Sequence, residues 1–245
     1  MVGAAPTAAV LAASFIAATS SLNAAIDRWQ GSGAVPTAVA RPALTQQLLV
    51  FRLSAHRRLE RAVGARLPRT LARDLGDEVS ARRELSRLTV PQRLSTFRVG
   101  AAAPAVLLQR WYREAQRDSG VSWQILAAVN YVESDFNRLR STSVSGAQGP
   151  MQFLPSSWRR YGHGDVHDPH AAILAAARYL HAAGSRTNLR RALYRYNPSW
   201  LYADAILRYA ARIRRDERAF FAYYSRQLFV RTPSGLRRLT SFGLR

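Results

Sequence analysis

Apolar residues recur at helical spacing along most of this chain, and residues that begin or end helices separate the periodic segments. From Ala43 to Leu67 the pattern runs through Leu48, Phe51, Leu53, Leu59 and Val63. Pro68 interrupts it, and a second run follows through Leu71, Leu75, Val79, Leu85 and Leu88. Apolar residues on one face with charges on the other predict amphipathic helices. We therefore expect an antiparallel helix pair, either a supporting layer or a surface that binds a partner.

Start and stop signals predict further helices beyond residue 104. An Asp at the N-cap followed by Pro at the first helical position is a typical helix start, and Gly ends a helix by adopting the left-handed conformation. These signals predict helices at 104–118 (followed by Gly120), 123–134 (capped by Ser122), 169–184 (capped by Asp168), 188–196 and 199–213. The later segments FFAYY, LFVRT and LRRLT, with Pro233-Ser234-Gly235 between them, predict a short β-hairpin.

Glycine and proline divide the chain into four predicted parts. Linkers are expected at 27–42 and 97–104, where small residues and prolines cluster. The predicted organisation is a candidate signal segment at 1–26, a helical extension at 27–103, a main domain at 104–217 and a tail at 218–245.

The first 26 residues carry no charged side chain, and Ala8 to Ala18 is an apolar run. Its length suits the core of a signal peptide better than a membrane span, which needs about 20 apolar residues. No arginine precedes the run and no clean cleavage site follows it. An alanine-rich tail or a misassigned start codon are the alternatives. No other segment is predicted to cross a membrane.

The chain is strongly basic, with a formal net charge of +21 that comes entirely from arginine, because lysine is absent. This charge favours polyanions such as nucleic acid, anionic lipid or anionic wall polymers. The arginines are scattered and no nucleic-acid-binding motif appears, so specific nucleic-acid binding is not predicted. Cysteine is absent, which excludes disulfides and thiolate zinc sites.

Glu133 ends the predicted helix 123–134 and shares a face with Leu126, Val129 and Asn130. Burial against apolar side chains raises the pKa of a carboxyl group, as general-acid catalysis requires. A helix-terminal glutamate can equally form an ion pair with an arginine, and the position alone leaves both readings open. Asp135 faces elsewhere and is expected to be solvated.

A glycine-containing turn follows this helix. Gly146 and Gly149 allow a tight backbone close to a ligand, and the amide of Gln152 both donates and accepts hydrogen bonds. Pro150 is predicted to open a short helix, MQF, that Pro155 stops. An ordinary surface loop is the alternative, and Met151 and Phe153 suit a core better than a ligand site.

These motifs resemble those of the lytic transglycosylases, which cleave bacterial peptidoglycan and share a lysozyme-like fold related to goose lysozyme. The resemblance covers about residues 104–215, and the variant GPMQFLP is similar to an actinobacterial secreted branch. The matching positions are Glu133-Ser134, then Ser143, Gly146, Ala147, Gly149, Met151 and Gln152, and then Ala192, Tyr196 and Asn197. The implied fold class is mainly α, with a lysozyme-like catalytic domain, an N-terminal helical extension and a short C-terminal β-hairpin.

The resemblance also implies a site. By this resemblance, Glu133 is expected to be the single catalytic acid and base. The expected substrate-binding residues are Ser134, Ser143, Gln148, Met151, Gln152, Tyr194, Tyr196 and Asn197. No cofactor and no metal are implied. The segment GHGDVHD resembles the calcium-binding loops of some relatives but keeps only Asp165 and Asp168, which are too few oxygen ligands.

Most glycosidases use two carboxylates, whereas the neighbourhood of Glu133 offers one in an apolar setting. The resemblance therefore implies cleavage of the MurNAc–GlcNAc bond with formation of 1,6-anhydromuramoyl ends. A hydrolytic muramidase using Asp165 or Asp168, and a non-catalytic peptidoglycan-binding protein, are the alternatives. The expected partners are peptidoglycan glycan strands and anionic wall polymers. The expected location is outside the cytoplasm, in the cell envelope or beyond it, with no membrane span in the mature chain.

Overall fold

The computed structural model describes residues 5–239 and is mainly α, as the sequence predicts. These residues form eleven α-helices, one short 3-10 turn at Leu94–Thr96 and one β-hairpin. The helices are α1 (Ala8–Trp29), α2 (Thr37–Ala55), α3 (Arg57–Gly64), α4 (Arg69–Leu88), α5 (Ala105–Ser119), α6 (Trp123–Ser134), α7 (Pro155–Tyr161), α8 (Pro169–Ala182), α9 (Leu189–Tyr196), α10 (Trp200–Arg215) and α11 (Arg218–Tyr224). The strands are β1 (Phe229–Thr232) and β2 (Gly235–Arg238).

The predicted helix starts are confirmed where a side chain can cap the first turn. The side chains of Asp168, Asn188 and Ser199 accept hydrogen bonds from the first turns of α8, α9 and α10. Gly120 ends α5 with a φ of 74°, as expected of a left-handed cap. The hairpin is also confirmed, with Thr232 opposite Gly235 in an antiparallel pair. Thr240, the end of LRRLT, lies outside the described residues.

Two predictions for the first hundred residues need correction. The predicted linker 27–42 is largely helical, because α1 continues to Trp29 and α2 begins at Thr37. Pro42 lies inside α2, where the fully buried Val39 and Ala43 keep the surrounding turns in the core. The helix predicted for 43–67 breaks at His56 into α2 and α3.

Two predictions for later segments also need correction. FFAYY was expected to join the β-hairpin but forms α11, because Phe220, Tyr223 and Tyr224 recur at helical spacing and are buried together. The segment predicted as a short MQF helix is a turn, and the helix begins only at Pro155.

The helical extension and the main domain share one core. Helix α6 lies at the centre of this core, and α10 packs against both α6 and α4. Val39, Ala43 and Ala81 of the extension belong to the same apolar cluster as α6. The segment predicted as a second linker also packs against the domain. The Gly100 amide of this segment donates to the Arg138 carbonyl, and the Arg98 carbonyl of this segment accepts from the Arg140 amide.

A buried ion pair joins the extension to the C-terminal part of the chain. Glu78 of α4 and Arg226, which follows α11, are 3% and 6% exposed, and the guanidinium of Arg226 donates to the Glu78 carboxylate. Breaking such a pair leaves a buried charge uncompensated, which costs about 3–5 kcal/mol. The pair therefore fixes α4 against the main domain.

Helix α1 contributes to both apolar clusters of the protein. Leu22, Ile26 and Trp29 pack in the main core, and Leu11 and Phe15 pack in the second cluster against α2 and α4. The helix has 22 residues and its most apolar window has a mean hydropathy of 1.6, so by length and composition it is also long enough to cross a membrane. A signal sequence or a buried core helix can have the same length and composition, so the signal segment stays a prediction.

Phe15→Ala in the full-length chain tests whether α1 is part of the folded protein. Phe15 is 2% exposed, so we expect its truncation to lower the free energy of unfolding by about 3–5 kcal/mol. The neighbouring Ile16 is 38% exposed, and Ile16→Ala should change it by less than about 1 kcal/mol. Chemical denaturation of both variants gives the values. Equal stability of Phe15→Ala and the unmodified protein would show that α1 is not part of the stable fold.

Candidate active site

Most residues of helix α6 are buried, which fixes the position of the residues at its end. Ile125 through Asn130 are each at most 3% exposed. At its start, the Trp123 amide donates to the side chain of Gln116 at 2.7 Å. Ser122 occupies the N-cap position but its side chain makes no capping hydrogen bond, so the predicted capping chemistry is wrong although the helix is confirmed.

The chain leaves α6 through three left-handed residues in succession. Asp135, Phe136 and Asn137 have φ values of 50°, 61° and 68°. Left-handed backbone costs about 1–2 kcal/mol for each residue other than glycine. Full burial of the Phe136 ring and a 2.8 Å hydrogen bond from the Asn137 amide to the Ser134 hydroxyl offset this cost.

Glu133 lies in the last turn of α6, and the residue as a whole is partly exposed. Its Oε1 accepts a hydrogen bond of 2.6 Å from the Tyr202 hydroxyl of α10. Burial raises the pKa of Glu133 from 4.5 to about 7, and the hydrogen bond from Tyr202 opposes this rise by stabilising the charged form. Glu133 forms no ion pair within residues 5–239. A carboxyl group in this setting can both donate and accept a proton near neutral pH.

The turn after α6 is attached to the helix through one carbonyl oxygen. The Pro150 carbonyl accepts from the Ser134 hydroxyl at 2.6 Å and from the Asn130 side-chain amide at 2.8 Å. Asn130 is fully buried, and its own oxygen accepts from the Tyr112 hydroxyl at 2.5 Å. These bonds hold the turn beside the end of α6, where Glu133 lies.

The turn itself requires glycine at position 149. Gln148 and Phe153 form an antiparallel bridge that closes it, with backbone hydrogen bonds of 2.9 and 2.8 Å. Gly149 has a φ of 73°, and a Cβ atom there would lie 2.0 Å from the carbonyl oxygen of Val166. Gln152 is also left-handed, with a φ of 48°, and its side-chain amide donates to the Gly149 carbonyl at 3.0 Å.

Ser143 closes a smaller loop on the same segment. Its hydroxyl and its carbonyl accept hydrogen bonds from the amides of Ala147 and Gly146, both at 2.9 Å. Ser143 and Gln148 are partly exposed, so both remain accessible at the rim of the turn.

Tyr196, at the end of α9, binds the turn and is close enough to Glu133 to feel its charge. Its hydroxyl donates to the Met151 carbonyl at 2.6 Å. Burial raises the pKa of Tyr196, and the charge of Glu133 raises it further. Asn197 follows as the C-cap of α9 and is partly exposed. The structure thus brings together the end of α6, the turn and the end of α9.

Ser134 and Met151 need correction as predicted substrate-binding residues. Ser134 is 1% exposed and Met151 is fully buried. The Ser134 hydroxyl is used within the protein, and the Met151 side chain belongs to the main core. Both hold the turn in place and neither presents its side chain at the surface.

Tyr194 and Tyr196 are two positions apart on α9, so their side chains leave the helix on different sides. Its ring stacks on Trp200 at a centroid distance of 4.2 Å, next to Arg190. These residues line a surface cavity of about 540 Å³ together with Asn188, Arg191 and Arg195. The structure therefore does not group Tyr194 with Glu133, Gln152 and Tyr196.

Asp135 is largely buried, so the prediction that it is solvated is wrong. Its side chain is 11% exposed and pairs with Arg138 at 3.3 Å. Burial raises the pKa of Asp135, and the charge of Arg138 opposes this rise. Asp135 thus has a cationic partner, whereas Glu133 has none among the described residues.

Asp165 and Asp168 cap turns at the surface. They accept hydrogen bonds from the amides of His167 and His170, at 2.9 and 3.0 Å. Within residues 5–239, no group of three or more histidine or acidic side chains is placed to hold a metal ion.

Tyr202 is a site residue that the sequence does not predict. Tyr202 is 2% exposed and touches Glu133, although 69 positions separate the two residues. Its position in the first turn of α10 gives no local signal of this contact. Asn130 was identified only as a neighbour of Glu133 on the helix face, and its bond to Pro150 depends on the tertiary fold.

Comparison with known proteins identifies the class to which this site is similar. Residues 110–200, less than half of the chain, match the family described as the Transglycosylase SLT domain. The resemblance to lytic transglycosylases is therefore confirmed for this segment. No solved structure gave a significant match to the chain.

Curated relatives carry a corresponding name. The protein named membrane-bound lytic murein transglycosylase F from Thiobacillus denitrificans is 41% identical over 73 residues, which are 30% of this chain and 15% of that protein. The protein of the same name from Alcanivorax borkumensis is 34% identical over 80 residues, 33% of this chain and 17% of that protein. The chain thus spans less than a fifth of the length of these relatives. The assignment to an actinobacterial branch stays a prediction.

Ser134→Ala tests the structural role of the buried hydroxyl. The substitution removes hydrogen bonds to Pro150 and Asn137, so we expect the free energy of unfolding to fall by about 1–3 kcal/mol. Ser122→Ala is the matched control at the other end of α6, with an expected change of about 0.5 kcal/mol or less. Thermal or chemical denaturation gives both values. An unchanged stability with a raised KM would instead indicate that Ser134 binds substrate.

The raised pKa of Glu133 predicts a pH-dependent difference between the unmodified protein and Glu133→Gln. The folded state keeps this proton up to about pH 7, whereas the unfolded chain loses it near 4.5. The stability contributed by the protonated carboxyl is therefore complete below pH 4.5 and is lost as the pH rises through 7.

As the pH rises from about 4 to about 8, the free energy of unfolding of Glu133→Gln should increase by about 2 kcal/mol relative to that of the unmodified protein. This value is smaller than the full pKa shift implies, because Glu133 is partly exposed. Chemical denaturation at several pH values measures this difference. Glu217→Gln, which changes an exposed carboxylate, is the control. A difference between Glu133→Gln and the unmodified protein that does not vary with pH would contradict the assignment.

Proposed function

We propose that this protein is a peptidoglycan lytic transglycosylase that cleaves the MurNAc–GlcNAc β-1,4 bond and leaves 1,6-anhydromuramoyl ends. The observation that carries the proposal is the environment of Glu133. Its carboxyl group has a pKa of about 7, a tyrosine hydroxyl as its hydrogen-bond partner and no cationic partner within residues 5–239. It lies within the segment that matches the transglycosylase SLT domain.

The proposed reaction needs one carboxyl group in two protonation states. Protonated Glu133 donates its proton to the glycosidic oxygen, and the bond from this oxygen to C1 of the muramoyl residue breaks. The N-acetyl group of the same sugar attacks C1 and forms an oxazolinium intermediate. The Glu133 carboxylate then removes the proton of the 6-hydroxyl, whose oxygen attacks C1 and displaces the N-acetyl oxygen. The proton returns to Glu133, and no water is consumed.

Tyr202 suits the role of a positioning residue in this reaction. Its hydroxyl binds Oε1 of Glu133, which limits rotation of the carboxyl group and leaves Oε2 for proton transfer. Because the same hydrogen bond favours the carboxylate, it also assists the proton-donating step.

We propose that glycan strands bind along the partly exposed surface of the turn. Ser143, Gln148 and Gln152 would contact the sugars there, and Tyr196 and Asn197 would form the adjacent wall. Tyr194, on the other side of α9, would contact a more distant part of the substrate. The net charge of +21 supports attraction to anionic wall polymers and a location in the cell envelope or outside the cell.

The contacts of Asp165 and Asp168 favour transglycosylation over hydrolysis. An inverting muramidase needs a second carboxylate to activate water, and a retaining one needs a carboxylate nucleophile. Both aspartates already cap local turns, and neither charge contributes to the pKa shift of Glu133.

Digestion of purified peptidoglycan followed by mass spectrometry of the muropeptides tests the proposal. We expect products lighter by one water than those of a muramidase. Glu133→Gln should reduce their formation by at least ~10²-fold, because the proton donor is lost. Glu217→Gln, which removes an exposed charge far along the chain, should retain full activity.

Two results would reject parts of the proposal. Products with the mass of hydrolysis fragments would show that the protein is a muramidase with the same cleft. Binding of peptidoglycan without any cleavage by the unmodified protein would show a non-catalytic wall-binding protein.

A further inference from the structure

A second cavity, of about 470 Å³, lies where α1, α4, α10 and α11 meet. Its lining contains five arginines and two aspartates. The lining residues are Thr19, Asn23, Arg69, Thr70, Leu71, Arg73, Asp74, Arg212, Arg215, Asp216 and Arg218. Arg212 and Tyr202 are ten positions apart on α10, which corresponds to about 15 Å along the helix. The cavity is therefore separate from the site around Glu133.

Arg212 is the most unusual residue of this cavity. It is 5% exposed, and within residues 5–239 its buried Nε and Nη1 atoms have no hydrogen-bond partner. Nε lies 3.2 Å from Oδ2 of Asp74, but the two atoms are not aligned for a hydrogen bond. Buried donors without partners are rare and unfavourable, and guanidinium groups in this state pair well with oxyanions.

The carboxylates around the cavity are already engaged with other arginines. Asp74 accepts two hydrogen bonds from Arg215, of 2.7 and 3.0 Å, and Arg215 also binds Asp77 at 2.6 Å. Asp216 accepts from Arg218, at 3.0 Å for the closest pair, and Arg218 also contacts Asp27. These pairs leave the buried Nε and Nη1 atoms of Arg212 without a hydrogen-bond partner among residues 5–239.

The rim of the cavity adds further donors. Arg69 and Arg73 are exposed and form no ion pair within the described part of the chain. Thr70 and Leu71 lie in the first turn of α4, a helix of 20 residues that has no side-chain cap at Pro68. The free amides and the positive end of such a helix favour anions.

We propose that this cavity is a binding site for a phosphate group. A tetrahedral phosphate offers several acceptor oxygens, which can meet the buried guanidinium of Arg212, the rim arginines and the amides of α4 together. The phosphate can be free inorganic phosphate or part of a phosphodiester polymer of the envelope. The phosphate site itself does not depend on the proposed function, whereas its occupation by an envelope polymer does.

The first experiment measures binding of inorganic phosphate to the full-length protein by isothermal titration calorimetry at constant ionic strength. The variant Arg69→Ala/Arg73→Ala removes two exposed rim charges. Arg58→Ala/Arg87→Ala removes the same charge from exposed positions on α3 and α4 outside the cavity. We expect phosphate affinity to fall by at least ~10-fold in the rim variant and to stay unchanged in the control.

Equal loss of affinity in both double variants would overturn the proposal, because it would show general charge attraction. Absence of phosphate binding beyond that of chloride would overturn it as well, and would show that the cavity holds only solvent. Glu133→Gln should bind phosphate as the unmodified protein does. A failure of the lytic reaction is therefore distinguishable from a failure of this site.

A second titration, with a glycerol phosphate oligomer, distinguishes the two sources. Tighter binding of the oligomer than of inorganic phosphate, with the same loss in the rim variant, supports a phosphodiester polymer. Binding of inorganic phosphate alone supports the phosphate site and rejects the polymer.

Discussion

The carbonyl oxygen of Pro150 is the point on which the geometry of the candidate active site depends. Two side chains from one face of α6, Asn130 and Ser134, donate to it, and both are buried. Because α6 itself is enclosed by the main core, these bonds attach the turn to a rigid element. The hydroxyl of Tyr196 attaches the other side of the turn through the Met151 carbonyl. Glu133 is thus presented beside the turn by a scaffold that has little freedom to move.

The burial that makes α6 rigid also sets the chemistry of Glu133. Loss of water around the carboxyl raises its pKa to about 7, and the single hydrogen bond from Tyr202 only partly compensates. An arginine partner would have lowered the pKa, and Asp135 shows that the chain can supply one two residues away. Among residues 5–239 Glu133 has no such partner, which costs stability above neutral pH. Carboxyl groups with raised pKa values are often found at functional sites, and this supports the role proposed for Glu133.

Local chemistry explains which features were predictable from the sequence. Asp168, Asn188 and Ser199 mark helix starts because their side chains bond to amides two or three residues away. The hairpin was predictable because Pro233-Ser234 separates two short segments of strand-forming residues. The aromatic composition of FFAYY favoured a strand, but burial of one helical face decided the structure. The contact of Tyr202 with Glu133 and the burial of Ser134 and Met151 arise from tertiary packing, which spacing along the chain does not contain.

The central claim is that one protonated carboxyl group, that of Glu133, is available near neutral pH. Titration of the carboxyl groups by NMR, in protein labelled with 13C at the glutamate side chains, measures this most directly. We expect one glutamate resonance that titrates near pH 7 and is absent from Glu133→Gln. A Glu133 resonance that titrates at about the ordinary value for glutamate, near 4.3, would contradict it.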